Sequence, residues 1–240
     1  MKYVGSKNRL SKDLVPIIQK FIDNNNIKHY YEPFVGGCNL IDKIKCENRY
    51  GSDIHSYLIA LLKQAQTDTS IFPTTITEEE YKSVRTNPQN YPDWYVGLVG
   101  FCSFGGKWCG GYPRGYKADK VIPRDICNET IRNLIKQASN LKDIKFDCRS
   151  FEQSVKVSNF VIYADIPYRS STKYATEDFP YERFYDWARA MSKDNIVLVS
   201  EYWMPDDFEC IWSKTLKCTL DKNSRTDKVK KLFKWKGESK

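Results

Sequence analysis

Histidine is almost missing from this chain, with two residues in 240, and the eight cysteines (38, 46, 102, 109, 127, 148, 210 and 218) include no Cys-x-x-Cys pair. A zinc finger or ribbon therefore lacks its usual ligand set, and no metal is expected. The cysteines fit reduced, mostly buried thiols in a reducing compartment. No apolar run approaches the ~20 residues of a membrane span. The segment Met1-Lys2-Tyr3-Val4-Gly5-Ser6-Lys7 has no apolar stretch of the kind a signal peptide carries, so a cytoplasmic protein without a membrane partner is expected. Glycine and proline are few, 12 and 10, which excludes collagen-like and low-complexity chains. There is no internal repeat and no Ser/Gly-rich linker. Also missing are G-x-x-x-x-G-K-[ST] and a complete G-x-G-x-x-G, the cradles of triphosphates and pyrophosphates.

What is present is an ordinary composition, 41% apolar and 28% charged, with enough chain to bury a core. Lys and Arg outnumber Asp and Glu by 38 to 30, a net charge of +8 that favours a polyanionic partner without demanding one. From Lys7 to Phe21 the apolar residues Leu10, Leu14, Ile17, Ile18 and Phe21 recur at helical spacing, with Ser6 as a candidate cap and Pro16 as a kink or a late start. His29 to Phe34 reads as a strand, Val35-Gly36-Gly37 as a tight turn, and Leu40, Ile41 and Ile44 as the start of a helix. A second strand, Arg49 to Asp53, precedes a helix around Tyr57, Leu58, Leu61 and Leu62. Further strands are predicted at Ile144-Lys145-Phe146, Phe160 to Ala164 and Ile196 to Val199, with a helix from Tyr181 to Met191. This alternation predicts an α/β protein with a parallel sheet, and the last two strands have the continuous apolar character of strands buried on both faces.

Between Thr69 and Arg124 the rhythm stops. Seven of the twelve glycines lie from Gly97 to Gly115, among Phe101, Phe104, Trp108, Tyr112 and Tyr116 and among Lys107, Arg114, Lys117, Lys120 and Arg124. We read 69–124 as a loop-like insert in a body formed by 1–68 and 125–240. Interleaved aromatic and basic residues suit base stacking and phosphate contact. The alternative is a small subdomain whose aromatics form its own core.

Glycines at the carboxyl end of a parallel strand let a ligand approach the backbone closely, which makes Gly36-Gly37 a candidate cofactor turn. Asp53, sixteen residues beyond Gly37 at the end of the next strand, can accept hydrogen bonds from ribose hydroxyls or can cap the following helix. A nucleoside cofactor without a phosphate chain fits this pattern. In Asp165-Ile166-Pro167-Tyr168 a buried strand runs directly into an acid, a proline and an aromatic. The Asp165 carboxylate and the Ile166 carbonyl can both accept from one exocyclic amine, while Tyr168 offers a ring face to an extruded planar base.

With these residues in place, the chain resembles the Dam-type, alpha-group DNA N6-adenine methyltransferases over most of its length. Tyr3-Val4-Gly5-Ser6-Lys7 is similar to the family's opening aromatic-x-Gly-Gly-Lys signature, which implies that Tyr3, Gly5 and Lys7 help hold S-adenosylmethionine. Glu32-Pro33-Phe34-Val35-Gly36-Gly37 resembles its glycine motif, Ser52-Asp53-Ile54 its ribose-binding strand end, and Asp165 to Tyr168 its D-P-P-Y catalytic motif. Lys230 to Trp235 resembles its closing strand. The resemblance implies a doubly wound, Rossmann-like methyltransferase sheet with an inserted DNA-recognition subdomain. It also implies cofactor contacts from Glu32, Pro33, Phe34, Gly36, Asp53, Ile54, Ser150 and Asp165. DNA contacts are expected from Lys107, Trp108, Arg114 and Tyr116 in the insert, and from Arg169, Lys173 and Tyr174 after the catalytic turn. The segment from Asp221 to Lys240 carries a local charge of +5.

Three positions depart from the pattern. Cys38 stands where many relatives have a third glycine, Ile166 replaces the first motif proline, and Ser150 replaces an acid that binds the cofactor's adenine. Since the carbonyl at 166 is kept, lower preorganisation rather than inactivity is expected. The expected activity is methyl transfer to the exocyclic amine of a flipped adenine in double-stranded DNA, by a monomer, with a restriction endonuclease as a conceivable companion. The alternatives are methylation of cytosine in DNA or adenine in RNA, and a DNA-binding protein of the same fold with impaired catalysis.

Overall fold

The computed structural model describes residues 1–114, 125–154, 156–169, 179–216 and 228–237. A 3₁₀ turn, Asn8–Leu10, leads into α1 (Ser11–Asn24), which buries Leu14, Ile18 and Ile22. The helix starts later than Ser6, whose hydroxyl accepts the Asn8 N–H at 3.1 Å, and Pro16 sits in its second turn. Next come β1 (His29–Glu32), β2 (Asn48–Asp53) and α2 (Ser56–Thr67).

The helix expected at Leu40, Ile41 and Ile44 does not form. Those side chains are buried, but the crossover runs through turns such as Lys43 N–H to Leu40 C=O, 2.8 Å. Gln19 of α1 bonds both the N–H and the C=O of Lys45, at 2.9 and 2.8 Å, so backbone groups are satisfied from outside the segment. A stretch this short would not repay the cost of helix nucleation.

The region after α2 is helical rather than loop-like in its first half, with α3 (Glu78–Thr86) and α4 (Asp93–Phe101). Thr77 and Glu80 form a capping box that starts α3. Gly97 lies inside α4 because the helices pack closely: a Cβ there would stand 2.1 Å from the Tyr57 carbonyl oxygen of α2. Gly100 makes room in the same way for the Trp108 ring. These glycines are packing devices, not loop formers.

Then follow α5 (Ile126–Leu141), which the sequence reading did not anticipate, β3 (Ile144–Cys148), β4 (Phe160–Asp165), α6 (Tyr181–Ser192), β5 (Ile196–Glu201), β6 (Phe208–Leu216) and β7 (Lys228–Trp235). The strands form one sheet in the order β3-β2-β1-β4-β5-β7-β6, parallel except for β7, which is antiparallel to both neighbours. Side chains alternate between two cores. Tyr30, Val161, Tyr163 and Leu198 pack with α1, α2, α4 and α5, while Tyr31, Ile162, Ala164, Val197 and Val199 pack with α6. Both faces are thus buried, which is why the central strands lack a polar alternation. This is a doubly wound sheet, and its strand order reverses between β1 and β4.

Seven cysteines are described, all unpaired. Cys38, Cys102 and Cys127 are buried, Cys46 and Cys109 half-buried, and Cys148 and Cys210 exposed, so fewer are buried than expected. Among the described residues no helix is long and apolar enough to cross a membrane.

Candidate active site

Four adjacent parallel strands, β2, β1, β4 and β5, end at the same edge in a carboxylate: Asp53, Glu32, Asp165 and Glu201. Glu32 and Asp165 flank the point where the strand order reverses, the place at which open α/β sheets form their ligand crevice.

Asp53 ties the glycine turn to the helix start. Its oxygens accept the Gly36 N–H at 3.2 Å and the His55 N–H at 3.1 Å. The cap of α2 itself is His55, which accepts the Leu58 N–H, so Asp53 is not the helix cap. Burial raises the Asp53 carboxyl above its ordinary value, against the pull of these amide bonds. Glu32 is buried and accepts the Tyr30 hydroxyl at 2.7 Å, and burial pushes its carboxyl up to about 8.

The turn between β1 and the crossover is built around the N-terminal segment. Gly36 has φ +46°, and a Cβ there would meet Tyr3 Cε1 at 2.9 Å; at Gly37 it would meet Tyr3 Cβ at 2.8 Å. Two motifs thirty residues apart therefore interlock, and glycine is needed for that contact. Cys38 holds a left-handed φ of +56°, where a residue with a Cβ costs ~1–2 kcal/mol and glycine does not. Gln137 of α5 clamps the turn from behind, its amide directed at the Gly37 and Cys38 carbonyls (3.2 and 3.0 Å) and at Asp42 (2.9 Å). Nothing in the sequence near Gln137 announces this role.

Lys7 reaches from the same N-terminal segment to the Asp165-Ile166-Pro167-Tyr168 turn. Its ammonium donates to Asp165 Oδ1 and, at 3.3 Å, to the Gly5 carbonyl. Burial raises the Asp165 carboxyl, while Lys7 and Lys230 pull it the other way. Ile166 is buried, and the Pro167 carbonyl accepts the Tyr181 hydroxyl at 2.9 Å, which fixes the chain as it leaves β4. Tyr168 is buried beside Tyr202, ring centres 4.7 Å apart, with Lys7 and Lys230 at 4.7 and 4.0 Å from its ring centre. Phe34 joins an aromatic cluster with Phe151, Phe179 and Phe184 at 5.7 to 5.9 Å, and Pro33 is buried. Ser150 caps the turn Phe151–Gln153, and Ile54 is 76% exposed beside Asp53.

Glu201 was missed by sequence reasoning. Its carboxylate accepts the Tyr202 N–H at 2.6 Å and the Arg169 N–H at 3.2 Å, joining the end of β5 to the residue after Tyr168. Burial pushes it up to about 7. The available signal was the one used for Asp165, an apolar strand ending in an acid. Arg169 itself pairs with Glu182 at 3.2 Å and lies over the rings of Tyr181 and Trp203, at 5.0 and 5.8 Å.

The residues proposed for the insert divide. The Trp108 ring packs against His55 (4.2 Å), Phe101 (5.0 Å) and Tyr57 (5.6 Å), so it is part of the core between insert and body. Arg114 is exposed and holds Glu78 in a bidentate pair at 2.8 and 2.5 Å. Lys107 is half-buried, and its carbonyl accepts the Gly110 N–H at 3.1 Å. Tyr116, Lys173 and Tyr174, like Lys117, Lys120 and Arg124, lie outside the described residues. Among the described residues no cluster of His, Cys, Asp or Glu could hold a metal ion.

Residues 3–96 match the family model described as D12 class N6 adenine-specific DNA methyltransferase. No curated protein sequence matches the chain significantly. Among solved structures, the chain is similar to a candidate methyltransferase from Thermoplasma acidophilum, with 6% identity, 46% of this chain and 54% of that one covered, and a TM-score of 0.25. It is also similar to SMU.472, a candidate methyltransferase complexed with SAH, with 8% identity, 75% and 56% covered, and a TM-score of 0.28. The chain spans about half the length of each of these structures.

Proposed function

We propose that the chain is a D12 class, Dam-type DNA adenine methyltransferase that transfers a methyl group from S-adenosylmethionine to the exocyclic amine of an adenine flipped out of double-stranded DNA. The observation that carries this reading is the placement of Asp165-Ile166-Pro167-Tyr168 at the strand-order reversal, beside a glycine turn that lies in the part of the chain matching the D12 model.

The residues at the edge fit a nucleoside cofactor. Asp53 uses one hydrogen bond per oxygen on the backbone, and each carboxylate oxygen has a further lone pair for a ribose hydroxyl. Ile54 presents an exposed apolar side chain next to it, suited to the face of an adenine ring. Gly5, at φ +76° with open space where a Cβ would stand, lets the N-terminal segment border the same crevice. When bound, the cofactor supplies a methyl group already activated by a sulfonium charge.

The chain's own residues then have to orient the amine. Its lone pair is delocalised into the base, and it becomes nucleophilic when both hydrogens are held out of the lone pair's way. Asp165 accepts one; Lys7 occupies Oδ1, and the carboxylate keeps acceptor capacity for the amine. The Ile166 carbonyl accepts the other. Lys7 also fixes the carboxylate in place and favours its ionised form, so acceptors are preset before the base arrives. DNA is engaged by basic residues on this edge and by the region 69–124, which we assign to target recognition.

Asp165→Ala is expected to abolish methyl transfer while leaving duplex affinity within a few-fold. Asp53→Ala is expected to raise the cofactor Kd about tenfold, the equivalent of ~1.4 kcal/mol for lost hydrogen bonds to a charged group. Retained turnover in the first variant would move the catalytic centre elsewhere. An unchanged Kd in the second would confine Asp53 to its backbone contacts.

A further inference from the structure

The large apolar side chains left in water are not scattered. Ile54, Phe104, Val4 and Trp203 are the four most exposed among the described residues. Ile54 follows β2, Val4 and Phe104 belong to segments joined by the bond from the Val4 N–H to the Gly106 carbonyl (3.1 Å), and Trp203 lies two residues past β5, so all four border the carboxyl edge. Along that edge the strands run β2, β1, β4, β5, about 4.8 Å apart. The function proposed above uses the ends of β2 and β1 for the cofactor and the end of β4 for the target base. The end of β5, one strand further on, has an exposed tryptophan and no role yet.

Three side chains converge there. Arg169, the residue after Tyr168, holds its guanidinium over the rings of Tyr181 and Trp203, at 5.0 and 5.8 Å, and pairs with Glu182 at 3.2 Å. Its backbone N–H is fixed by Glu201, so the side chain springs from an anchored point. The Trp203 ring meets that of Tyr185 in α6 edge to face, at 6.2 Å and 73°, and about half of the tryptophan stays in water. The Tyr185 hydroxyl is the unusual group. Tyr185 is 1% exposed, and its hydroxyl is buried without a hydrogen-bond partner among the described residues. The charged groups that act on it are Arg169, Glu201 and Glu182. Buried hydroxyls are nearly always paired, and an anion held by Arg169 would supply the missing acceptor.

Resting on the methyltransferase reading above, we propose that Arg169, Tyr185 and Trp203 form a subsite for the nucleotide that adjoins the flipped adenine on the same strand: Arg169 and the Tyr185 hydroxyl take its phosphate, and Trp203 packs against its nucleoside. The phosphate replaces Glu182 as the partner of Arg169. Glu182 and Arg169 are both exposed, and such pairs are weak in water, so the exchange is easy and the moving guanidinium uncovers the hydroxyl beside it. Glu201 is turned to the Tyr202 and Arg169 N–H groups. The subsite fixes the strand next to the turned-out base, so that binding energy remote from the reacting amine helps to hold that amine in place.

Tyr185→Phe deletes only the unpartnered hydroxyl. Its Kd for an unmethylated duplex that the wild-type protein methylates is expected to rise about fivefold, with Tm level or higher, because nothing in the free protein bonds that hydroxyl. A purely structural hydroxyl would give the reverse, a lower Tm with an unchanged duplex Kd. Trp203→Ala should raise the duplex Kd about tenfold, and Trp203→Phe, which keeps a ring, should recover most of the loss. Salt separates the two kinds of contact. Arg169→Gln should flatten the dependence of log Kd on log salt by about one unit of slope, whereas Tyr185→Phe and Trp203→Ala remove no charge and should leave the slope as it is. The cofactor Kd should be unchanged in all of them. Methyl transfer by the wild type together with a wild-type duplex Kd in either Tyr185→Phe or Trp203→Ala would overturn this proposal alone. A wild-type protein that transfers no methyl group to DNA would remove the reading beneath it, and the proposal with it.

Discussion

At the residue scale, the site is a row of carboxylates that the fold has taken out of water. Glu32, Asp53, Asp165 and Glu201 are all raised above their ordinary values by burial, opposed by the Tyr30 hydroxyl at Glu32, by backbone amides at Asp53 and Glu201, and by Lys7 at Asp165. This links stability to pH with a definite sign. A carboxyl raised in the folded state contributes stability below its ordinary value of 4.5, and that contribution is lost as pH rises through its folded value. For Glu32 the window runs from 4.5 to about 8. Glu32→Gln preserves an acceptor for the Tyr30 hydroxyl and removes the ionisation. Thermal denaturation across this range should show a shallower fall of Tm with pH in the variant, and a higher Tm than wild type at pH values above about 8. Parallel Tm profiles would mean that Glu32 is ionised in the folded protein at neutral pH.

At the element scale, the turn after β1 is held by parts that are far apart in the chain: Tyr3 fills the space that Gly36 and Gly37 leave, and Gln137 of α5 grips the carbonyls behind. Close packing governs the insert as well. Gly97→Ala would drive a methyl group toward the Tyr57 carbonyl, 2.1 Å from where its Cβ would stand, and separate α4 from α2. We expect a loss of about 3 kcal/mol, the upper end of ordinary overpacking, measured by urea denaturation. A loss below ~0.5 kcal/mol would show that the helices can part without cost, which close-packed interiors do not allow.

This contact explains what the sequence could and could not disclose. Strands β1, β2, β4 and β5 were legible because runs such as Phe160 to Ala164 are apolar without alternation, and Asp165 because it ends such a run before a proline. Gly97 and Gly100 resembled a loop because local composition does not record that a neighbouring element needs the space, whereas Gly105, Gly106 and Gly111 do lie outside the α-helices, at positive φ. The segment 40–44 resembled a helix because its apolar spacing is helical, while Gln19, which bonds the backbone of Lys45 at its end, lies 26 residues earlier. Glu201 carried the same local signal as Asp165, an acid ending an apolar strand, whereas Lys230 reaches this edge only through the pairing of β7 with β5, which no local pattern reveals.

At the scale of the whole molecule, the proposed function needs part of the net charge of +8 to face DNA, and ion pairs restrict how much of it is available. Arg114 is the instructive case, since its guanidinium is bidentate on Glu78 and holds that carboxyl down to about 2. If Arg114 contacts phosphate, Glu78→Ala should strengthen duplex binding several-fold by releasing it, and Arg114→Ala should weaken binding and flatten its salt dependence by about one unit of slope. Equal duplex affinity in both variants, measured by fluorescence anisotropy at two salt concentrations, would return this pair to a surface role.

The central claim concerns one bond formed on one atom. Unmethylated DNA should be incubated with the wild-type protein or Asp165→Ala and S-adenosylmethionine labelled in its methyl group, then digested to nucleosides and analysed by mass. The account predicts label in N6-methyladenine for the wild type and none for the variant. Label in a methylated cytosine, or label in N6-methyladenine that survives in Asp165→Ala, would contradict it.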